Sequence, residues 1–229
     1  MSGNIKDKLA YATLKAQEHP DLFERNVAAL TRVQPAPLLP GDIDFRIGSP
    51  WIPVRYYRDF MYETFGTTQA FQRTRTIDVE YLEYTNTWRV SGKSLERNSI
   101  KANQTYGTHR ANAYEIFESS LNLQSITIRD PVTYLDSNGK EQVKYVVNAK
   151  ETMIARAKQQ QMKEAFGAWL FRDKERADTL LSIYNDKFNT IRPRTYDGDH
   201  LVFQGMNEEM ALRKHQKDVA ALLNELFKM

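Results

Sequence analysis

Leu9, Ala10, Thr13, Leu14 and Ala16 fall at helical spacing over residues 6–19, and Pro20-Asp21 breaks that run and starts a second helix carrying Leu22, Phe23, Val27 and Leu30. The run Gln34-Pro35-Ala36-Pro37-Leu38-Leu39-Pro40-Gly41 holds three of the eight prolines and must be extended or turned, as a linker or a rigid strap. Ile47-Gly48-Ser49-Pro50-Trp51-Ile52-Pro53 then leads into Tyr56, Tyr57, Phe60, Met61 and Phe65, whose spacing predicts a helix with a buried aromatic face. Alternation of apolar and polar residues over 76–84, the pair Thr85-Asn86 and a second run over 87–91 predict a β-hairpin.

A helix is expected over 111–121. A second hairpin is expected from 125–129 and 142–147, its loop containing Asp136-Ser137-Asn138-Gly139, where asparagine-glycine supplies positive φ. From Asn148 the period becomes helical: Asn148 and Glu151 are spaced as a capping box, and Met153, Ile154, Ala157, Met162, Ala165, Phe166, Trp169 and Leu170 form one long amphipathic pattern. Asp173 is placed to cap a further helix bearing Leu180, Leu181, Ile183, Tyr184 and Phe188, which Arg192-Pro193-Arg194 ends. After the turn at Asp197-Gly198, residues 208–229 read as a last helix with Leu212, Val219, Leu222, Leu223 and Leu226 on one side. The expected fold class is α+β, predominantly helical, with two small antiparallel hairpins and one long helix. The expected division is an N-terminal helical segment over 1–34, an α+β connector domain over 35–195, and the start of a further module over 196–229.

Composition changes this picture little. With 229 residues, 41% of them hydrophobic, the chain is long enough to bury a core. It has no cysteine, which removes disulfides, thiolate metal sites and a cysteine nucleophile. No apolar run approaches the length of a membrane span and the first residues lack the apolar centre of a secretion signal, so the expectation is a cytoplasmic protein with no membrane partner. A net charge of +3 permits a nucleic-acid partner without demanding one.

Catalytic motifs are not expected. Gly92-Lys93-Ser94 resembles the end of a phosphate-binding loop, but Thr87 stands where that motif needs its first glycine. Asp130-Pro131-Val132-Thr133-Tyr134 resembles the Asp-Pro-Pro-Tyr loop of adenine DNA methyltransferases only loosely, and it reads otherwise as a turn after a strand. His19, His109, His200 and His215 lack metal-ligand spacing, and Asp197, Asp199 and His200 read as a solvated turn sooner than a cation site.

The candidate binding surface is the basic strip Arg89, Lys93, Arg97, Lys101 and Arg110, set against the single acid Glu96, with Trp88 and Tyr106 nearby. Cations neutralise phosphates and aromatic faces stack unpaired bases, so DNA is the candidate partner; the alternative is a solvated loop. Trp51, Trp88 and Trp169 are expected first as core anchors.

The run Tyr196-Asp197-Gly198-Asp199-His200-Leu201-Val202-Phe203-Gln204-Gly205-Met206, followed by Leu212-Arg213-Lys214-His215-Gln216-Lys217-Asp218, resembles a segment of large phage, plasmid and conjugative-element proteins. Those combine an adenine-type DNA methyltransferase with a Swi/Snf-like helicase. Residues 43–53, Tyr106-Gly107-Thr108-His109-Arg110-Ala111-Asn112-Ala113-Tyr114, Leu121-Asn122, residues 148–152 and Tyr184-Asn185-Asp186-Lys187-Phe188-Asn189 carry the same resemblance, which covers nearly the whole chain. It implies a region just upstream of the helicase ATPase core, with the phosphate loop beyond Met229. Gln216 is then the residue that would read the adenine edge of ATP in a longer parent, its amide donating and accepting at once; in this chain alone it reads as an exposed helix residue. The resemblance implies ATP and S-adenosylmethionine for the parent and no cofactor in this chain. The expected role is a non-catalytic connector between flanking helicase and methyltransferase modules, with or without DNA contact; the alternative is a purely structural or protein-interaction domain packing against the motor.

Overall fold

Helices form where the apolar period is 3.6, and their ends carry the residues that satisfy orphan backbone groups. The computed structural model describes residues 4–135, 137, 140–191, 197–203 and 212–227. Its elements are α1 (Ile5–Glu18), α2 (Pro20–Arg32), α3 (Val54–Phe65), α4 (Gln69–Thr74), β1 (Val79–Leu82), β2 (Thr87–Val90), α5 (Ala113–Leu121), β3 (Arg129–Leu135), β4 (Glu141–Val147), α6 (Ala149–Arg172), α7 (Lys174–Lys187) and α8 (Lys214–Leu226). The fold is α+β and mostly helical, with two separate two-stranded antiparallel sheets. The chain divides into two compact units, one of residues 1–36 with 188–229, the other of residues 37–187.

In the first unit, the Asn4 side chain caps α1 by accepting from the N–H groups of Lys6 and Asp7. Pro20 stands at the start of α2, where its missing N–H costs nothing. Arg192, Pro193 and Arg194, expected to end the preceding helix, lie outside the described residues, as do 204–211, which include the start of the expected last helix and part of the Tyr196–Met206 run.

The second unit is built on the aromatic face of α3. Tyr56, Tyr57, Phe60, Met61 and Phe65 are all buried there. Ile116, Phe117 and Leu121 of α5 and Met162, Phe166, Trp169 and Leu170 of α6 complete the core. The Tyr57 ring stacks on Phe166 at 5.1 Å, while Phe60 meets Phe65, Phe166 and Trp169 edge-on. Such pairs add roughly 0.5–1.5 kcal/mol each beyond the area they bury. The first hairpin pairs Val79 with Val90 and Tyr81 with Trp88, and turns at Asn86, which takes a positive φ of 51°. Asn112 and Glu115 close a capping box at the start of α5, and Asn148 caps the 24-residue α6.

The second hairpin differs from its expected position. Ser125–Arg129 was expected as its first strand and Asp130-Pro131-Val132-Thr133-Tyr134 as the turn after it, whereas these last five residues lie within β3. Ile126 and Ile128 are buried, but their N–H groups donate to Gln159 and Thr152 side chains of α6. That segment is therefore docked on a helix, and the ladder starts only at Arg129, opposite Val147. Asp136, Asn138 and Gly139 of the expected turn lie outside the described residues.

Candidate functional site

The basic strip runs from β2 through a loop and a π-helical turn at residues 101–105 to the start of α5. Three of its five cations are tied to carboxylates remote in sequence. Arg89 Nε lies 2.6 Å from Glu80 across the hairpin, Lys93 Nζ 2.6 Å from Glu118 of α5, and Arg110 Nη1 2.7 Å from Asp130 of β3. Arg110 also donates to the carbonyl of Arg129. Arg97 donates from Nε to the carbonyl of Ser94 at 3.2 Å, and among the described residues neither it nor Lys101 has a carboxylate within ion-pairing distance. Both are exposed. The strip's own acid, Glu96, accepts from the N–H of Thr68.

The neighbouring aromatics are committed to the interior. Trp88 is buried between Tyr57 and Tyr81, with ring centroids 4.7 and 4.8 Å away, and its indole N–H donates to the carbonyl of Gly48. Tyr106 is half-buried against Phe65. Trp169 is buried as well and Trp51 is half-buried, tilted against Phe45 and edge-on to Tyr184, so all three tryptophans pack within the unit.

Around Trp88 sits the densest polar arrangement of this region. A strand with no neighbour leaves every second N–H and C=O unpaired. Here α5 and its C-cap residue supply the missing partners. Asn122 accepts from the Trp88 N–H and donates back to the Trp88 carbonyl, both at 2.8 Å, so its amide acts as a one-residue strand. Glu118 accepts from the Val90 N–H through one oxygen and from Lys93 through the other, each at 2.6 Å. Gly48 crosses the same place with φ +87°, and a Cβ there would stand 2.1 Å from the Leu121 carbonyl oxygen. Gly92, at φ +63°, passes close to the Thr76 carbonyl, with a would-be Cβ at 2.5 Å. Gly92-Lys93-Ser94 is thus a strand exit and a tie to Glu118.

A second polar arrangement joins the other hairpin to α6. Asn148 accepts from the Glu151 N–H and donates to Asp130, which also holds Arg110. The Arg110 hydrogen bond, then that from Asn148, keeps the Asp130 carboxyl below its ordinary range. A third fixes the end of α6. The Trp169 indole donates to Glu63 at 2.6 Å and Arg172 pairs with the same carboxylate, so the Glu63 carboxyl is lowered, first by the indole hydrogen bond. Arg176 lies over the Trp169 ring, 3.3 Å from its centroid. Arg58 grips Asp78 through two nitrogens, at 2.5 and 3.2 Å, which raises the guanidinium further and binds α3 to the start of β1. Burial pushes the Tyr57 phenol up, and that of Tyr114, bonded to Thr67, up to about 12.

Gln216 is exposed near the start of α8, where its side chain accepts from the Arg213 N–H at 2.9 Å, the return half of a helix cap. Asp199 pairs with Lys217 at 3.5 Å and its N–H donates to Asp197, and among the described residues no three histidines or acids are grouped to hold a metal. A polar cleft of about 290 Å³ brings Arg55 and Arg176 together with Asp59, Asp173 and Glu175. Its charges nearly cancel, so it offers no field selecting an ion of one sign. No helix among the described residues is long and apolar enough to cross a membrane.

Glu118 and Gln159 give no signal in the sequence, because a helix carboxylate or amide facing a strand looks like one facing water; Asp130 stands out there only within the loose Asp-Pro-Val-Thr-Tyr match, and Asn122 and Thr152 only within segments that carry the resemblance.

What these geometries define is a helical α+β domain whose polar side chains close strand edges and fasten elements to an aromatic core. The chain belongs to the family described as a domain of unknown function, DUF8437, whose model matches residues 46–190. No curated protein and no solved structure matches it.

Proposed function

We propose that this chain is a non-catalytic connector of a mobile-element DNA helicase–methyltransferase, a rigid piece that holds and orients neighbouring modules. The observation that carries this reading is the commitment of Arg89, Lys93 and Arg110 to internal carboxylates in the stretch richest in binding chemistry. A phosphate arriving there must displace Glu80, Glu118 or Asp130, whereas a connector gains from those ties. The resemblance supplies the context: ATP and S-adenosylmethionine belong to the flanking helicase and methyltransferase modules, and Gln216 would serve adenine only within the longer parent. The purified chain with DNA, ATP and S-adenosylmethionine is expected to release no phosphate and transfer no methyl group. Turnover by the chain alone overturns the proposal.

A DNA contact is a second reading, favoured by the exposure of Arg97 and Lys101, which hold no ion pair among the described residues. Two such cations give weak binding whose log–log salt slope is about −2. Fluorescence titration with single- and double-stranded DNA should show that slope, and Arg97→Glu with Lys101→Glu should abolish it. Absence of binding at low salt leaves the chain a structural or protein-packing domain only.

A further inference from the structure

The two hairpins treat their edges in opposite ways. On β2 the outer N–H groups of Trp88 and Val90 and the carbonyl of Trp88 are taken by Asn122 and Glu118. Nothing comparable covers β4 among the described residues, and every residue of β4 is exposed.

The hydrogen-bonding phase tells which groups are free. Asn148 N–H donates to the Ile128 carbonyl at 2.9 Å, which makes 128 and 148 a hydrogen-bonded pair. Pairs alternate along an antiparallel ladder, so Asp130–Val146 and Val132–Lys144 are bonded too, while Arg129–Val147, Pro131–Tyr145 and Thr133–Val143 are not. The N–H and C=O groups of Val143, Tyr145 and Val147 therefore point outward, away from β3. On the opposite edge the outward positions are 129, 131, 133 and 135; the one at 131 is a proline, with no N–H to offer, and the Arg129 carbonyl is taken by Arg110.

Side chains follow the same alternation. One face of the hairpin carries Pro131, Leu135, Val143, Tyr145 and Val147, with Leu135 and Tyr145 each 66% exposed. Two-stranded hairpins with such faces are marginal in water. The strands hold two cations, Arg129 and Lys144, and two acids, Asp130 and Glu141, so they present no positive field to nucleic acid.

We propose that β4 is a dimerisation edge, pairing antiparallel with β4 of a second copy about a two-fold axis through Tyr145. One open edge and one proline-blocked edge are the condition for closure: joining the two open edges gives a four-stranded sheet, β3-β4-β4-β3, bounded by Pro131 at both sides, so growth stops at two copies. The proposed register sets apolar side chains opposite one another. Tyr145 faces the second copy's Tyr145 in a hydrogen-bonded pair, and Val143 faces the second copy's Val147 on both sides of it. Lys144 faces the second copy's Val146, so no like charges meet. This interface does not depend on the connector reading, nor on DNA contact.

Sedimentation equilibrium of the full chain from about 1 to 500 µM should show the mass doubling and then stopping. Val143→Pro removes an outward N–H without touching the internal ladder, so it should leave the circular dichroism intact and the chain monomeric. The chain has no cysteine, so Tyr145→Cys introduces a lone thiol. It should cross-link to its own copy under mild oxidation, because the paired Cα atoms stand about 5.5 Å apart, whereas Thr133→Cys on the blocked edge should not. A monomer throughout that range overturns the proposal, as does a folded Val143→Pro chain that still dimerises, or growth beyond two copies. Were Val143→Pro to lose its fold, the contrast between the two thiols decides: equal cross-linking at 145 and 133 refutes the assigned edge.

Discussion

Asn122 spends both ends of one amide on Trp88, and that is where single-residue energetics concentrate. Asn122→Ala leaves a half-buried N–H and C=O without partners, an expected cost of about 2 kcal/mol, read as a lower urea midpoint at unchanged slope. Asn122→Asp keeps the acceptor and should cost less. Gly48→Ala should be worse, roughly 3 kcal/mol or more, because positive φ and a Cβ facing the Leu121 carbonyl act together; soluble yield and melting temperature will register it. Glu63 gives the pH dependence. Its folded carboxyl is lowered from 4.5, so its contribution is fully present above that value and is lost as pH falls through the depressed folded one. Stability below about pH 4.5 should decline more steeply in the wild type than in Glu63→Gln, with Trp169 emission changing in step.

Elements were legible to the degree that their own residues decide them. The longer helices are legible because their apolar period is sustained, and Asn148 marks the start of the longest, whereas the six-residue α4 is too short to show a period and is absent from the sequence expectation. The first hairpin was legible because its inward residues alternate. The second was displaced for two physical reasons. Ile126 and Ile128 alternate like a strand although α6 side chains take their N–H groups, and Pro131 reads as a turn although its ring sits on an outer edge where no hydrogen bond is lost. The basic strip misled in the same manner: Glu96 is its only local acid, while Glu80, Glu118 and Asp130 arrive from other elements. Thr152→Val should therefore loosen the docked segment selectively. Hydrogen exchange should show the Ile128 amide losing protection while the core amides of α3 keep theirs.

All three tryptophans, and the aromatic cluster with them, belong to the unit of residues 37–187, which coincides closely with the stretch matched by the family model. That unit expressed alone should melt cooperatively with the tryptophan emission of the full chain; a red-shifted, non-cooperative product would show that its core needs the remaining residues. Within it, Asn148 occupies the only covalent step between β4 and α6, capping the helix with its oxygen and holding Asp130 with its nitrogen. A torque on the hairpin cannot be absorbed by a slack loop at that point. It passes through one amide into the first turn of α6, so whatever grips the hairpin has a lever 24 residues long reaching to Trp169 at its far end.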